Sequence, residues 1–348
     1  MDNLAEKKSW WKPFVKVHEE LGLSSLKITC PNCHQKGITT SRWIKGPLLK
    51  PLYVLHIKKR EVFKVCRLEG ARADQVRKRT LHLERDVERI LDKGKSFVLF
   101  SGGKDSLATL GYLKNIANGN AENITALYAD TTAGLPENIA YVKKACAYFG
   151  VNLQIVRPKA DYFTLVKDWG IPSFGFRWCC RELKIKPIED YLKNIEGPKV
   201  VFDGIRAAES RIRRQYIPIW YHPSFKCLSV SPIFYWTNED VITYINSNGI
   251  PKTLLHSLSS STECWCGAYK TETDFRKLYD INPEMYKKLS RVEEDIQYRY
   301  TYLYKNGNQI SLRDLEKEIL KEKLSLSPSS QIRNLNHNRL LSRATKNI

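Results

Sequence analysis

The chain reads as an α/β protein with a doubly wound parallel sheet, preceded by a small metal-binding module. Three observations predict this. From Ser96 onward, short apolar runs alternate with helical stretches at the spacing of βαβ units. A glycine-rich turn, Ser101-Gly102-Gly103-Lys104-Asp105-Ser106, separates the first apolar run from a helix. Six of the nine cysteines sit in tight pairs, Cys30 with Cys33, Cys179 with Cys180, and Cys264 with Cys266. Buried structural cysteines have no reason to pair in this way, whereas metal ligands do.

The elements follow in order. Residues 1–69 form an irregular basic module containing CPNCHQKG, a Pro- and Gly-punctuated stretch, and one expected strand from Tyr53 to Cys66. Residues 70–95 predict one long charged linking helix with Leu83, Val87, Ile90 and Leu91 as its apolar stripe and Gly94 just past its end. Four strands are expected next: Phe97–Phe100, Ile124–Asp130, NLQIVRP, and Lys199–Ala207. Helices such as LATLGYLKNIAN and PENIAYVKKACAYFG lie between them. Residues 208–300 read as loops and helices, with Asn238 as the N-cap of NEDVITYINSNG. The α/β domain is bounded at 96–324, and 325–348 reads as a mobile basic tail without acidic residues. No internal repeat is present.

At 348 residues the chain exceeds what one hydrophobic core usually covers. Its 42% hydrophobic and 27% charged residues exclude wholesale disorder. The charge is unusual: 57 Lys and Arg against 37 Asp and Glu give +20. Such a chain attracts polyanions, although a solvated Lys-rich face would give the same excess. Residues 1–95 carry 22 Lys and Arg against 11 Asp and Glu. Trp10, Trp11, Phe14, Trp43 and Tyr53 interleave with these cations. That pattern suits phosphate contacts with base stacking, or docking of the N-terminus on its own core. No apolar run approaches the roughly 18–20 residues of a membrane span, and no secretory signal opens the chain. With an odd cysteine count, this sets the expectation of a reducing, cytoplasmic location without membrane contact.

The turn at 101–106 has the chemistry of a phosphate cradle. Two glycines let the backbone approach an anion. Successive N–H groups and the helix N-terminus supply partial positive charge. Ser101 and Ser106 add hydroxyls, and Lys104 adds a full charge. The glycine spacing differs from the GxxxxGK[ST] loop of ordinary nucleotide triphosphatases.

On these residues the chain resembles the PP-loop ATP pyrophosphatase superfamily, whose adenine nucleotide α-hydrolase-like domains split ATP between the α and β phosphates. Further segments resemble its phosphoadenylyl-sulfate reductase family: FRWCCRELKIKP (Phe176–Pro187), GIRAAESRIRR (Gly204–Arg214), SPIFYWTNEDVITYINSNGIP (Ser231–Pro251) and ECWCGAYK (Glu263–Lys270). They run in family order over roughly residues 95–280. The resemblance implies that Ser101, Gly102, Gly103, Lys104, Asp105 and Ser106 hold ATP phosphates. It also implies that Asp130 faces the nucleotide or its Mg²⁺, and that Gly204, Arg206 and Arg211 belong to the nucleotide site. From the residues alone, Asp130 could equally cap a turn, and Arg211 could lie on a solvated face.

The same resemblance makes Cys179, Cys180, Cys264 and Cys266 the ligands of a [4Fe–4S] cluster. Cys264-x-Cys266 departs from the family's C-x-x-C, and leaves zinc or persulfide-carrying thiols as competing readings. Cys227 is a spare ligand or a buried apolar residue. In the first module, Cys30 and Cys33 suit a zinc knuckle, with Cys66 as third ligand and His34 or His56 as fourth; a redox-silent cysteine pair is the competing reading.

Family reductases of adenylylated sulfate carry a degraded loop and a cysteine in a C-terminal segment. This chain keeps SGGKDS and has no cysteine after Cys266. The expected function is therefore an ATP-dependent adenylating sulfurtransferase acting on nucleic acid, as in DNA phosphorothioation or tRNA thiolation. Lys104, Asp105, Asp130, Cys179 and Cys180 would carry the reaction, with a cysteine desulfurase or similar donor as partner. The alternative is an adenylyl-sulfate or phosphoadenylyl-sulfate reductase.

Overall fold

A computed structural model describes residues 10–326, apart from 25, 42–50, 78–82, 118–120, 254–255, 257–262 and 306. Trp43, the middle of the linking helix and the tail from 327 lie outside the described residues. The chain folds as two compact units, one of residues 1–159 and 180–263, the other of 160–179 and 264–348.

The first unit opens with the helix Lys12–Leu21. Four strands follow in an antiparallel sheet in chain order: β1 (Lys27–Thr29), β2 (Lys36–Ser41), β3 (Leu52–Lys58) and β4 (Glu61–Leu68). The single strand expected over Tyr53–Cys66 is thus a hairpin. Lys59 and Arg60 both take positive φ, 52° and 65°, which closes the tight turn. That conformation normally calls for Asn or Gly, so the sequence carries no signal for it. The expected linking helix is observed as two segments, Gly70–Arg77 and Leu83–Lys93, and its stripe of Leu83, Val87, Ile90 and Leu91 is buried.

A six-stranded sheet forms the centre of this unit. Its strands are β5 (Lys95–Leu99), β6 (Ile124–Ala129), β7 (Asn152–Val156), β8 (Lys199–Phe202), β9 (Ile219–His222) and β10 (Cys227–Val230). Their order is β7-β6-β5-β8-β10-β9, parallel except for β9. The first four were expected. The last two were not, because residues 208–300 read as loops and helices. Four-residue strands, one fully buried and one a half-exposed edge, show no periodicity to read. The strand order reverses between β5 and β8, where open α/β sheets hold ligands beyond their carboxyl ends.

The first module does not stand apart. Phe14, Leu21, Leu23 and Leu26 share one core with Val98, Val200, Phe202 and Leu228 of the central sheet. Asp86 is fully buried and accepts hydrogen bonds from the backbone N–H (2.9 Å) and hydroxyl (3.0 Å) of Ser24. Trp10 packs at 5.1 Å on buried Tyr53, and Trp11 packs against the core. These aromatics dock the first helix. The helix Asn238–Ser247 is capped by Thr237, one residue before the expected Asn238, in a reciprocal box with Asp240.

The second unit contains the helices Tyr162–Trp169, Glu272–Ile281, Pro283–Asp295 and Leu312–Leu326 and a hairpin of β11 (Leu303–Lys305) and β12 (Asn308–Ile310). Glu293 lies fully buried at its centre and accepts from the backbone N–H groups of Tyr302 (2.9 Å) and Leu312 (2.7 Å). Burial pushes its pKa up to about 7, against 4.5 for a free glutamate. The folded state therefore binds the proton more tightly than the unfolded chain. This contribution to stability is complete below the unfolded value and is lost as pH rises through about 7. Glu293→Gln is expected to flatten the fall in melting temperature between about pH 5 and 8. Thermal melts at three pH values check it, and an unchanged slope would rule out Glu293 as the source.

Candidate active site at the phosphate loop

Strand β5 ends one residue before the loop, and the helix Lys104–Ile116 begins within it, so that Lys104, Asp105 and Ser106 form the helix's first turn. Gly102 takes φ +82°, and a Cβ there would sit 2.9 Å from Asn138 Oδ1. Both its backbone conformation and its surroundings require glycine. The loop is laced internally. Ser106 Oγ donates to Gly103 O at 2.9 Å and lies 3.2 Å from Ser101 Oγ, while Gly103 N donates to Ser101 Oγ at 3.3 Å. Gly103 is the helix N-cap and has no side chain to cap the first turn. Helix-terminal N–H groups of this kind are able to receive an anion.

Two residues outside the motif hold the loop from beneath. Asn138 is fully buried, and its Nδ2 donates to Ser101 O (3.1 Å) and to Tyr128 Oη (3.1 Å). His256 Nε2 lies 2.7 Å from Gly102 O. Burial lowers the His256 pKa, so the neutral ring donates from Nε2 near neutral pH. Sequence reading named neither residue, because their partners are backbone carbonyls far away along the chain.

A charged chain crosses the start of this helix. Lys104 Nζ lies 2.8 Å from Asp105 Oδ1, and Arg206 Nε lies 2.8 Å from the same oxygen. Arg206 is 3% exposed and also donates from Nη1 to Trp236 O at 3.2 Å. Arg206 is thus at the loop as expected, bonded to Asp105 rather than standing open to a ligand. Gly204 brings the end of β8 against the helix start: a Cβ would lie 2.9 Å from the carbonyl carbon of Asp105. Asp130, at the tip of β6, is paired through Oδ2 to Arg157 Nε at 2.9 Å and accepts from Thr132 N at 3.1 Å. Arg211 is exposed, in the segment after β8.

The paired cysteines divide between the units. Cys180 opens a π-helical turn, Cys180–Ile185, in the first. In that unit Lys184 pairs with Glu263, and Thr131 Oγ1 donates to Glu263 O at 2.8 Å. Cys179, Cys264 and Cys266 belong to the second. There the sulfurs of Cys179 and Cys266 lie 3.3 Å apart. Hydrogen bonding to Cys179 pushes the Cys266 thiol up to about 12, and a bond to Cys264 opposes it. Tyr162 Oη donates to Cys266 O at 3.2 Å. Cys227 is buried in an apolar cluster, and burial pushes its thiol up to about 12. Cys146 is buried in the main core.

The first module gathers Cys30, Cys33, His56 and Cys66, whose ligand atoms all lie within 4.8 Å of one another. Cys33 Sγ is 3.3 Å from His56 Nε2 and 3.7 Å from Cys66 Sγ. His56 Nδ1 donates to Lys36 O at 2.9 Å, which turns the Nε2 lone pair toward the sulfurs. Gly37 makes room: a Cβ there would lie 2.6 Å from Val54 and 3.1 Å from His56 Nδ1. Burial pushes the Cys66 thiol up to about 12, so a thiolate here calls for a neighbouring cation. His56 is the fourth donor, and His34 is exposed. Three thiols and one imidazole form a group able to hold a metal ion.

Residues 95–280 match the family model of the phosphoadenosine phosphosulfate reductase domain, more than half of the chain. The chain belongs to this family. An uncharacterised protein of Methanocaldococcus jannaschii is 27% identical over 203 residues, which cover 56% of this chain and 47% of that protein. The adenosine 5'-phosphosulfate reductase of Lysinibacillus sphaericus is 35% identical over 141 residues, covering 38% of this chain and 58% of its own. The chain thus spans about half the length of these relatives. A solved phosphoadenylyl-sulfate reductase from Candida auris aligns over 55% of this chain and 92% of its own at 20% identity, with a TM-score of 0.41. The matched range holds the six-stranded sheet and the loop of residues 101–106. The module of residues 1–94 lies outside the matched range. Among the described residues, no helix is long and apolar enough to cross a membrane.

Proposed function

We propose that this reductase-family chain is an ATP-dependent adenylating sulfurtransferase that modifies nucleic acid. The observation that carries the reading is the complete phosphate loop: left-handed Gly102, an N-cap without a side chain, laced serines and Lys104 at one helix start. A triphosphate needs this positive cradle, because catalysis at phosphorus rests on positioning and charge neutralisation. Asp105 and Asp130 would hold Mg²⁺ at the loop and at the tip of β6.

In the proposed reaction an acceptor oxygen attacks the α-phosphorus. The bond to the bridging oxygen breaks, and pyrophosphate leaves with the electron pair. The outer sulfur of a persulfide, supplied by a partner such as a cysteine desulfurase, then displaces AMP, which carries the acceptor oxygen away. A second thiol attacks the resulting disulfide, releases the thiolated acceptor, and leaves a cystine that an external thiol reductant returns to two thiols. The thiol set of Cys179, Cys180, Cys264 and Cys266 has the donor chemistry of an iron–sulfur site, and the sulfurs of Cys179 and Cys266 lie 3.3 Å apart in the second unit. A [4Fe–4S] group held there would supply sulfur-handling chemistry. The group at Cys30, Cys33, His56 and Cys66 has the donors of a closed structural zinc site. Nucleic acid as acceptor is supported by the +20 charge.

The names of the relatives favour a second reading, reduction of adenylyl sulfate. Incubation of anaerobically prepared protein with each nucleotide separates the two. Pyrophosphate release from ATP is the expected result. Release of sulfite from adenylyl sulfate, with ATP left intact, would establish the reductase instead.

A further inference from the structure

The second unit carries three large aromatic side chains on its surface, two of which flank one guanidinium. Phe174 is 70% exposed, Phe176 56% and Tyr269 50%. Apolar rings this open carry a cost in water, and grouped together they mark a contact surface. Phe174 lies in a tight turn closed at both ends: Ser173 N donates to Phe176 O (3.2 Å) and Phe176 N donates to Ser173 O (3.1 Å). Phe174 and Tyr269 meet edge to face at 5.9 Å. The Arg177 guanidinium lies 5.7 Å from the Phe174 ring centre and 5.6 Å from that of Tyr269, and also donates to the Tyr269 hydroxyl.

The support beneath is rigid. Trp178 is buried, stacks on Tyr162 and donates to Gly170 O at 2.9 Å. Gly267 takes φ +93° and lies so close to Tyr302 that a Cβ would reach within 2.5 Å of its ring. Both segments also carry thiols: Arg177 is two residues before Cys179, and Tyr269 is three after Cys266.

Charge selects the occupant. Residues 170–179 and 264–271 contain two cations, Arg177 and Lys270, and no carboxylate. Open rings with a guanidinium between them suit an unpaired nucleobase and its phosphate, since every base offers a flat face for stacking and a phosphate for the cation. We infer that Phe174, Arg177 and Tyr269 form a stacking platform for a single-stranded stretch of the nucleic-acid acceptor. This rests on the sulfurtransferase reading above and assigns it a recognition surface on the thiol-bearing segments.

The test is fluorescence anisotropy of the full chain with a labelled single-stranded oligonucleotide and with its duplex. The intact protein is expected to bind the single strand more tightly. Phe174→Ala is expected to weaken single-strand binding by about tenfold or more, and Phe174→Trp to restore it. Phe174 is mostly exposed, so the variant keeps its fold, which its melting temperature verifies. The slope of affinity against salt should hardly change, because phosphate contacts elsewhere set it. If the intact chain binds single strands and Phe174→Ala binds equally well, the platform is wrong while the nucleic-acid reading stands. If the intact chain binds neither strand form, both fall. Loss of affinity for the sulfur-donor protein with unchanged strand binding also overturns the platform, and assigns the rings to a protein partner.

Discussion

Gly102→Ala and Lys104→Ala are each expected to cut ATP-dependent pyrophosphate release by about two to three orders of magnitude. The two variants act by different routes. Alanine at 102 must hold φ near +82°, and its methyl meets Asn138 Oδ1 at 2.9 Å. Asn138 is buried and bonded to Ser101 O, so it cannot withdraw without releasing the loop. The loop must move instead, and a displacement of about 1 Å is enough to cost about a hundredfold in rate. Lys104→Ala leaves the backbone in place and removes the mobile charge. It also leaves Asp105 with Arg206 as its remaining cation, which draws the carboxylate toward β8. Pyrophosphate release at saturating ATP, with nucleotide affinity measured separately, distinguishes the routes. Gly102→Ala should weaken both binding and turnover, and Lys104→Ala chiefly turnover. Wild-type release by either variant would remove the loop from the chemistry.

Cys66→Ser is expected to lose one equivalent of zinc and lower the melting temperature by about 10 °C or more. The reason lies in the shared core. β3 carries His56 and supplies Val54 and Leu55 to the interior, and β4 carries Cys66 and supplies Leu68. Without the ion, His56 remains fully buried among thiols, and small loop-rich modules rarely hold such an arrangement unaided. Metal analysis by mass spectrometry and a thermal melt check both parts. His34→Ala is the control, because its side chain is exposed and should leave metal content unchanged. A full zinc equivalent retained by Cys66→Ser would exclude the site.

The central strands were legible because burial on both faces writes a continuous apolar run, as in Phe97–Phe100 and Ile124–Ala129. The loop was legible because two glycines, two serines and a lysine stand together between an apolar run and a helix. Three features were hidden. The Lys59–Arg60 turn uses a conformation its residues do not advertise. β9 and β10 are too short to show a period. Asn138 and His256 act through carbonyls of residues 101 and 102, contacts that no local pattern encodes. The grouping of residues 160–179 with chain from 264 onward, inside the expected 96–324 domain, is likewise written in no local pattern. The choice between His34 and His56 also needed the fold: only the register of β2 on β3 sets His56 beside the sulfurs.

The helix Lys12–Leu21 packs against β9 and β10, about 200 residues further along the chain. On the ribosome, at about 5–20 residues per second, its apolar face therefore waits on the order of ten seconds or more for its partners. During that interval Phe14 and Leu21 are open to chaperones and to neighbouring nascent chains. The ligand set from Cys30 to Cys66 is complete long before then. An early-bound ion would fold the first sheet during translation and leave the helix as the last piece to seat. Scarcity of metal would then be felt as lower yield of folded protein before it is felt as lower activity.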